Sequence, residues 1–178
     1  MSEVSLNNLS IMLALSHMQA AESLKSVLLQ QKVRRVFFAA NNREATSQLN
    51  EQSYNMIFIE EGFPELGGAD FCRFLRMTDG PMAFAPIIYG IVSADKQRVF
   101  AARDAGASKI ILMPLSPKSL LTSIQAAIKE FRPMVQTTSY RGPDRRISGQ
   151  KPFHGPDKRK AQKGLVSVAE QKRVLGSF

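Results

Sequence analysis

The sequence predicts a doubly wound α/β domain over residues 10–131, followed by a basic, largely irregular tail over 132–178. Three observations carry this prediction. Five short apolar runs recur, and each precedes a stretch with helical spacing. The runs are continuous rather than alternating, as expected of parallel strands buried on both faces. The charge is also divided: residues 1–131 hold 13 Lys+Arg against 12 Asp+Glu, whereas 132–178 hold 11 against 3. Residues 1–9 read as an N-terminal extension.

The elements follow in order. Ile11 to Leu15 reads as a buried strand, and Gln19 to Gln31 as a helix with apolar residues at 20, 24, 27 and 28. Val33 and Val36 to Ala39 give a second strand. A short helix is expected from Asn42 to Gln52, capped by Asn41 or Asn42, whose side chains can accept an orphan helix N–H. Met56 to Ile59 is a third strand. Gly67-Gly68 breaks the chain before a helix over Ala69 to Met77. Pro86 to Ile91 is a fourth strand, and Lys96 to Ala105 a helix stopped by Gly106. Lys109 to Leu112 is a fifth strand. Ser116-Pro117 opens the last helix, which ends near Phe131-Arg132-Pro133.

Composition narrows the function classes. The one cysteine, Cys72, excludes an internal disulfide and a cysteine-rich zinc site. It lies on its helix's apolar stripe and is expected to be a small buried hydrophobe. No apolar run reaches the roughly 18 residues of a membrane span. The N-terminal segment MSEVSLNNLS has no basic or apolar signal region, so a cytoplasmic location is expected. Because the basicity sits in the tail, the partner there should be phosphate, nucleic acid or an acidic surface.

In parallel α/β sheets ligands sit beyond the carboxyl ends of the strands. That singles out residues 15–17, 60–63, 92–94 and 113–114, and a family resemblance appears there. Asn55 to Pro64, with Glu60 closing the apolar strand, resembles the third strand and loop of CheY-like response-regulator receivers. Ser93-Ala94 resembles their hydroxyl–Ala pair, Ala105-Gly106-Ala107 their Ala-Gly-Ala, and Met113-Pro114 falls where they have Lys-Pro. The resemblance covers about residues 10–131. It implies a five-stranded parallel sheet in order 2-1-3-4-5 with five flanking helices, and a cis Met113-Pro114 bond.

The departures from that family bear on its chemistry. Its receivers carry an acidic pair after strand one that holds Mg²⁺; here that place reads Leu15-Ser16-His17. Glu60 stands for the phosphoacceptor Asp and Met113 for the lysine, while Ser93 keeps the hydroxyl. Phosphoryl transfer depends on positioning and charge stabilisation, so the resemblance implies a pseudo-receiver with no catalytic residues, metal or cofactor. Glu60 either mimics a phosphorylated state with its fixed charge or is a partly solvated carboxylate with no switch role. His17 reads as a surface histidine.

The tail contains a repeat. Tyr140-Arg141-Gly142-Pro143-Asp144-Arg145-Arg146 returns 13 residues later as Phe153-His154-Gly155-Pro156-Asp157-Lys158-Arg159. Arginine binds phosphate, and binds guanine bidentately at O6 and N7. A carboxylate can accept from guanine's N–H edge, and Tyr140 and Phe153 offer faces for stacking. An Asp beside a polyanion costs Coulomb energy unless it meets a specific donor. Each copy is therefore a candidate half-site for one guanine nucleotide.

This tail on a receiver-like domain resembles the Cle family of CheY-like effectors. The resemblance implies cyclic di-GMP as ligand, and a flagellar motor switch component or attachment machinery as protein partner. Carried over by motif, Tyr140, Arg141, Asp144, Arg145 and Arg146 serve one half, and Phe153, Asp157, Lys158 and Arg159 the other. Lys158 lacks arginine's planar fork. The competing expectation is a tail that binds nucleic acid or an acidic protein through charge alone. Leu165 to Leu175 has weak helical patterning, with docking and disorder both open.

Overall fold

A computed structural model describes residues 6–145 and 164–176. Five parallel strands form one sheet in the order β2-β1-β3-β4-β5: β1 Ser10–Ala14, β2 Arg35–Ala39, β3 Met56–Glu60, β4 Ile87–Ile91 and β5 Lys109–Leu112. Between and after them run α1 Met18–Gln30, α2 Asn42–Glu51, α3 Gly68–Met77, α4 Lys96–Asp104 and α5 Pro117–Lys129. A 3₁₀ turn, Pro81–Phe84, leads into β4. The predicted order, five helices and cis Met113-Pro114 bond are all present.

Strand periodicity sorts the core into two layers. Met12, Ala14, Ile57, Ile59, Ile87, Tyr89 and Ile91 face α3 and its partners Phe71, Cys72 and Leu75. Ile11, Leu13, Met56, Phe58 and Ile88 face α1 and α5, meeting Leu24, Leu28, Leu120 and Ile124. The register places Leu13 beside Phe58 and Phe58 beside Ile88, so each layer is continuous across the sheet. Asn41 caps α2 by accepting from Glu44 N–H at 2.9 Å, and Ser116 caps α5 by accepting from Ser119 N–H at 3.1 Å.

Arg76 is buried in the layer beside α3, at 1% exposure. Its guanidinium donates to the carbonyls of Gly106 at 2.9 Å and of Ala83 and Ala85 at 2.8 Å each, and to Ser108 Oγ at 3.2 Å. It thereby ties α3 to the 3₁₀ turn and to the loop before β5. Burial lowers its pKa from the ordinary arginine value.

Among the described residues of the tail, four short regular elements stand within the irregular segment. Met134–Gln136 (β6), Arg141–Pro143 (β7) and Leu165–Val166 (β8) form an antiparallel sheet in order β7-β6-β8, and Val168–Leu175 is a helix, α6. The tail has too few apolar residues for a core of its own, but it need not form one. Met134 and Val135 are buried, and α6 packs against the 3₁₀ turn. Buried Gln171 on α6 donates to Arg132 and Val166 carbonyls at 3.0 and 3.1 Å. The apolar area is supplied by the domain, so strands of two or three residues hold.

Candidate functional site

Two groups of candidate residues lie at opposite ends of the main sheet. At the carboxyl end, Glu60 is half-buried at the close of β3, and its Oε1 accepts from Ser16 N–H at 2.5 Å. The β3–α3 loop is held close by Gly68, where a Cβ would lie 2.2 Å from the Glu60 carbonyl oxygen. His17 is exposed at the start of α1, and its side chain does not cap the helix. Ser93 Oγ donates to Asp95 Oδ2 at 2.7 Å. The structure thus brings Ser16 and Glu60 together but engages Ser93 with Asp95.

Met113 fills the space that the loop after β5 leaves over the sheet. A Cβ on Gly90 of β4 would meet Met113 Cγ and Sδ at 3.1 Å and Phe58 Cζ at 3.3 Å. The thioether is packed on apolar neighbours, where it offers no cation to a phosphoryl group. Among the described residues, no three His, Cys, Asp or Glu side chains converge as metal ligands would.

Sequence reasoning missed the ion pairs beside this site. Arg98 Nη1 meets Glu61 Oε2 at 2.5 Å, and Arg98 Nε meets Asp95 Oδ2 at 2.8 Å. Val92 N–H also donates to Glu61 Oε2, at 3.4 Å. The Ser93 hydroxyl, then the Arg98 N–H and guanidinium, hold the Asp95 carboxyl below its usual range. Glu61 in turn raises the Arg98 pKa. The available signal was Asp95 three residues before Arg98, a helix N-cap spacing; Glu61, 37 positions before Arg98, gave none.

The first copy of the tail motif lies at the other end, against the segments that enter β4 and β5. Gly142 and Pro143 are buried. A Cβ on Gly142 would lie 2.9 Å from Gly106 Cα, so the two backbones approach as only glycine allows. Arg141, one of the candidate ligand residues, donates from Nη1 to Thr78 O at 2.9 Å, and its guanidinium lies over the Phe84 ring at 5.4 Å. The Arg141 Nε is buried without a hydrogen-bond partner.

Tyr140 and Arg145 face outward from that anchor. The Tyr140 hydroxyl donates to Pro143 O at 2.8 Å, which fixes the ring. The Arg145 guanidinium lies 3.7 Å from the ring centroid, and its Nη1 meets Asp104 Oδ1 at 3.0 Å. Asp144 donates its N–H to Pro133 O at 2.8 Å, closing the edge of the small sheet. Arg146, Phe153, Asp157, Lys158 and Arg159 fall outside the described residues.

Comparison with solved structures places the fold. CheY4 of Vibrio cholerae, a chemotaxis response regulator, superposes with TM-score 0.62 at 20% identity, covering 67% of this chain and 98% of that one. A two-component response regulator from Clostridium difficile gives TM-score 0.62 at 20% identity, over 68% and 97%. Among curated proteins, the transcriptional regulatory protein GltR of Pseudomonas aeruginosa is 29% identical over 143 residues, 79% of this chain and 56% of GltR. The DNA-binding response regulator MtrA of Mycobacterium tuberculosis (H37Rv) is 26% identical over 86 residues, 48% of this chain and 36% of MtrA. The matches therefore span about a third to a half of those relatives' lengths. The response regulator receiver domain family itself matches residues 11–125, from β1 well into α5, and the chain belongs to that family.

Proposed function

We propose that this receiver is a non-enzymatic signalling effector whose tail binds cyclic di-GMP and which then engages a protein partner, such as a flagellar motor switch component or attachment machinery. The observation that carries this reading is the duplicated Gly-Pro-Asp-basic-Arg motif. Its first copy has an arginine stacked on a fixed tyrosine ring at the surface. Stacked aromatic and guanidinium planes with a carboxylate nearby suit a guanine base and its phosphate. Two copies suit a ligand with two guanines.

The carboxyl-end site supports a pseudo-receiver. Ser16-His17, Glu60 and Met113 replace the acidic pair, phosphoacceptor and lysine, and the remaining hydroxyl, on Ser93, is engaged by Asp95. Incubation with a small phosphodonor and Mg²⁺ should leave Glu60 unmodified by mass spectrometry; a stable acyl phosphate there would sink the pseudo-receiver reading.

Calorimetric titration of the full chain with cyclic di-GMP tests the ligand. Arg145→Ala and Arg146→Ala should each lower affinity about 5- to 150-fold, the loss of roughly 1–3 kcal/mol expected for a bidentate arginine–guanine contact. Asp144→Ala should weaken binding although it raises the positive charge, and Lys158→Arg should strengthen it by restoring the planar donor. A tail that acts by charge alone gives the opposite sign at Asp144 and a steep salt dependence with nucleic acid. That competing reading draws some support from MtrA's description as DNA-binding. Binding that is unchanged or tighter in Asp144→Ala would favour it.

A further inference from the structure

The strip of residues around Asp104 joins the tail to the face of α4. Phe100, Arg103 and Asp104 lie on α4, and Tyr140 and Arg145 on the tail. Arg103 Cζ sits 4.6 Å from the Phe100 centroid, with Lys96 Nζ at 5.4 Å on the same ring. Arg103 Nε and Nη2 reach Asp104 Oδ1 at 3.3 Å, the oxygen that Arg145 Nη1 meets at 3.0 Å. Arg145 in turn covers Tyr140. The sequence along the surface is ring, guanidinium, carboxylate oxygen, guanidinium, ring.

We propose that α4 contributes half of the tail's nucleotide site: Phe100 and Arg103 bind the ligand alongside Tyr140 and Arg145, and Asp104 holds both guanidiniums until a ligand phosphate replaces it. The proposal rests on the cyclic di-GMP reading and names residues on the receiver that the motif does not contain. One carboxylate oxygen between two guanidiniums marks where an anionic oxygen is already accepted. Each ring is already covered by a cation, the arrangement that also stacks a base. Lys96, Arg103 and Arg145 against Asp104 leave two positive charges, matching the two phosphodiesters of cyclic di-GMP. Phe100 is 40% exposed, the side chains of Arg103, Asp104 and Arg145 are 45%, 45% and 36% exposed, and Tyr140 is half-buried beneath Arg145. No part of the core has to open.

Titration of the full chain with cyclic di-GMP tests this, with Lys25→Ala on α1 as a control of equal charge change on the opposite face. Phe100→Ala should lose about 5- to 150-fold, the scale of a stacked base. Arg103→Ala should lose clearly more than Lys25→Ala. Asp104→Asn should bind about two- to fivefold tighter, because an exposed ion pair no longer competes. The substituted sites on α4 are exposed, and circular dichroism of each variant checks that the fold is kept. If Arg145→Ala loses affinity while Phe100→Ala or Arg103→Ala matches the control, the ligand is held by the tail alone and the α4 proposal falls. Weaker binding by Asp104→Asn overturns the exchange at that carboxylate. If the unmodified chain does not bind cyclic di-GMP, the proposed function and this inference fall together.

Discussion

Replacing Gly142 with alanine adds one methyl group at the contact that fastens the tail to the receiver. The new Cβ would stand 2.5 Å from the Tyr140 hydroxyl oxygen and 2.9 Å from Gly106 Cα. The tyrosine can swing away, but it then leaves Pro143 O and its place beneath Arg145. Gly106 has no such freedom. It is backbone with φ +97°, and the Arg76 side chain crowds its own Cβ position at 2.9 Å. β7 must therefore retreat by roughly half an ångström or more to restore van der Waals contact. Overpacking of this kind costs about 1–3 kcal/mol. The retreat also weakens the Arg141–Thr78 hydrogen bond, worth about 1 kcal/mol.

The loss should fall on the small sheet and not on the parallel one. Amide hydrogen exchange reads this directly. The Thr137 N–H, paired to Tyr140 O at 2.8 Å, and the Asp144 N–H, paired to Pro133 O at 2.8 Å, should exchange about 5- to 150-fold faster. Amides of β1 and β3 should hold their rates. Unchanged exchange across 134–144 would refute the close-approach reasoning, and equal acceleration in β3 would show that Gly142 acts on global stability instead.

Two further outcomes follow from the core. Arg76→Met should destabilise the chain by about 2–4 kcal/mol in urea unfolding, since it orphans three buried carbonyls, and Arg76→Lys should rescue little because one ammonium cannot span four acceptors; a loss below about 0.5 kcal/mol would refute the bracing role. The Cys72 thiol, pushed up to about 11 from 9.0 by burial, should resist thiol reagents in the native chain at pH 8 and react on unfolding. Its folded pKa lies above the unfolded one. The associated stability is thus complete below about pH 9 and declines as pH rises toward 11, so Cys72→Ala should flatten alkaline unfolding over that window.

The parallel sheet was legible because its central strands are buried on both sides. Runs such as Met56 to Ile59 and Ile87 to Ile91 carry no polar residue to obscure the pattern. The Asn41 cap and the stop at Gly106 were legible because each rests on one residue's local chemistry. Gly68 was harder. It reads as a breaker, yet it opens α3, and its reason is a carbonyl eight positions earlier. The tail strands were not legible. Their two- and three-residue lengths carry no period, and their stability comes from a receiver surface distant in sequence. Arg141 illustrates the same limit. Its motif suggests a ligand, while its environment, Thr78 O and the Phe84 ring, is made by residues about 60 positions away.

α4 is the element whose side chains reach both ends of the sheet. Its first turn is held by Asp95 and by the Arg98–Glu61 pair next to Glu60, and its last residue, Asp104, by Arg145 of the tail. About nine residues at 1.5 Å each set these two clamps some 13 Å apart. Between them the helix has little apolar anchorage: Ala102 is its one buried residue, whereas α5 buries Leu120, Ser123, Ile124, Ala127 and Ile128. A helix fastened at its ends by exposed, solvent-screened ion pairs opens more readily than one fastened along its length by a core. α4 amides should therefore exchange faster than those of α5 in the unmodified chain, and faster still at elevated salt, which screens the end clamps and leaves the α5 face untouched. Equal protection of α4 and α5, or exchange of α4 insensitive to salt, would mean that the helix is held by packing and that the ion pairs at its two ends play no part in its stability.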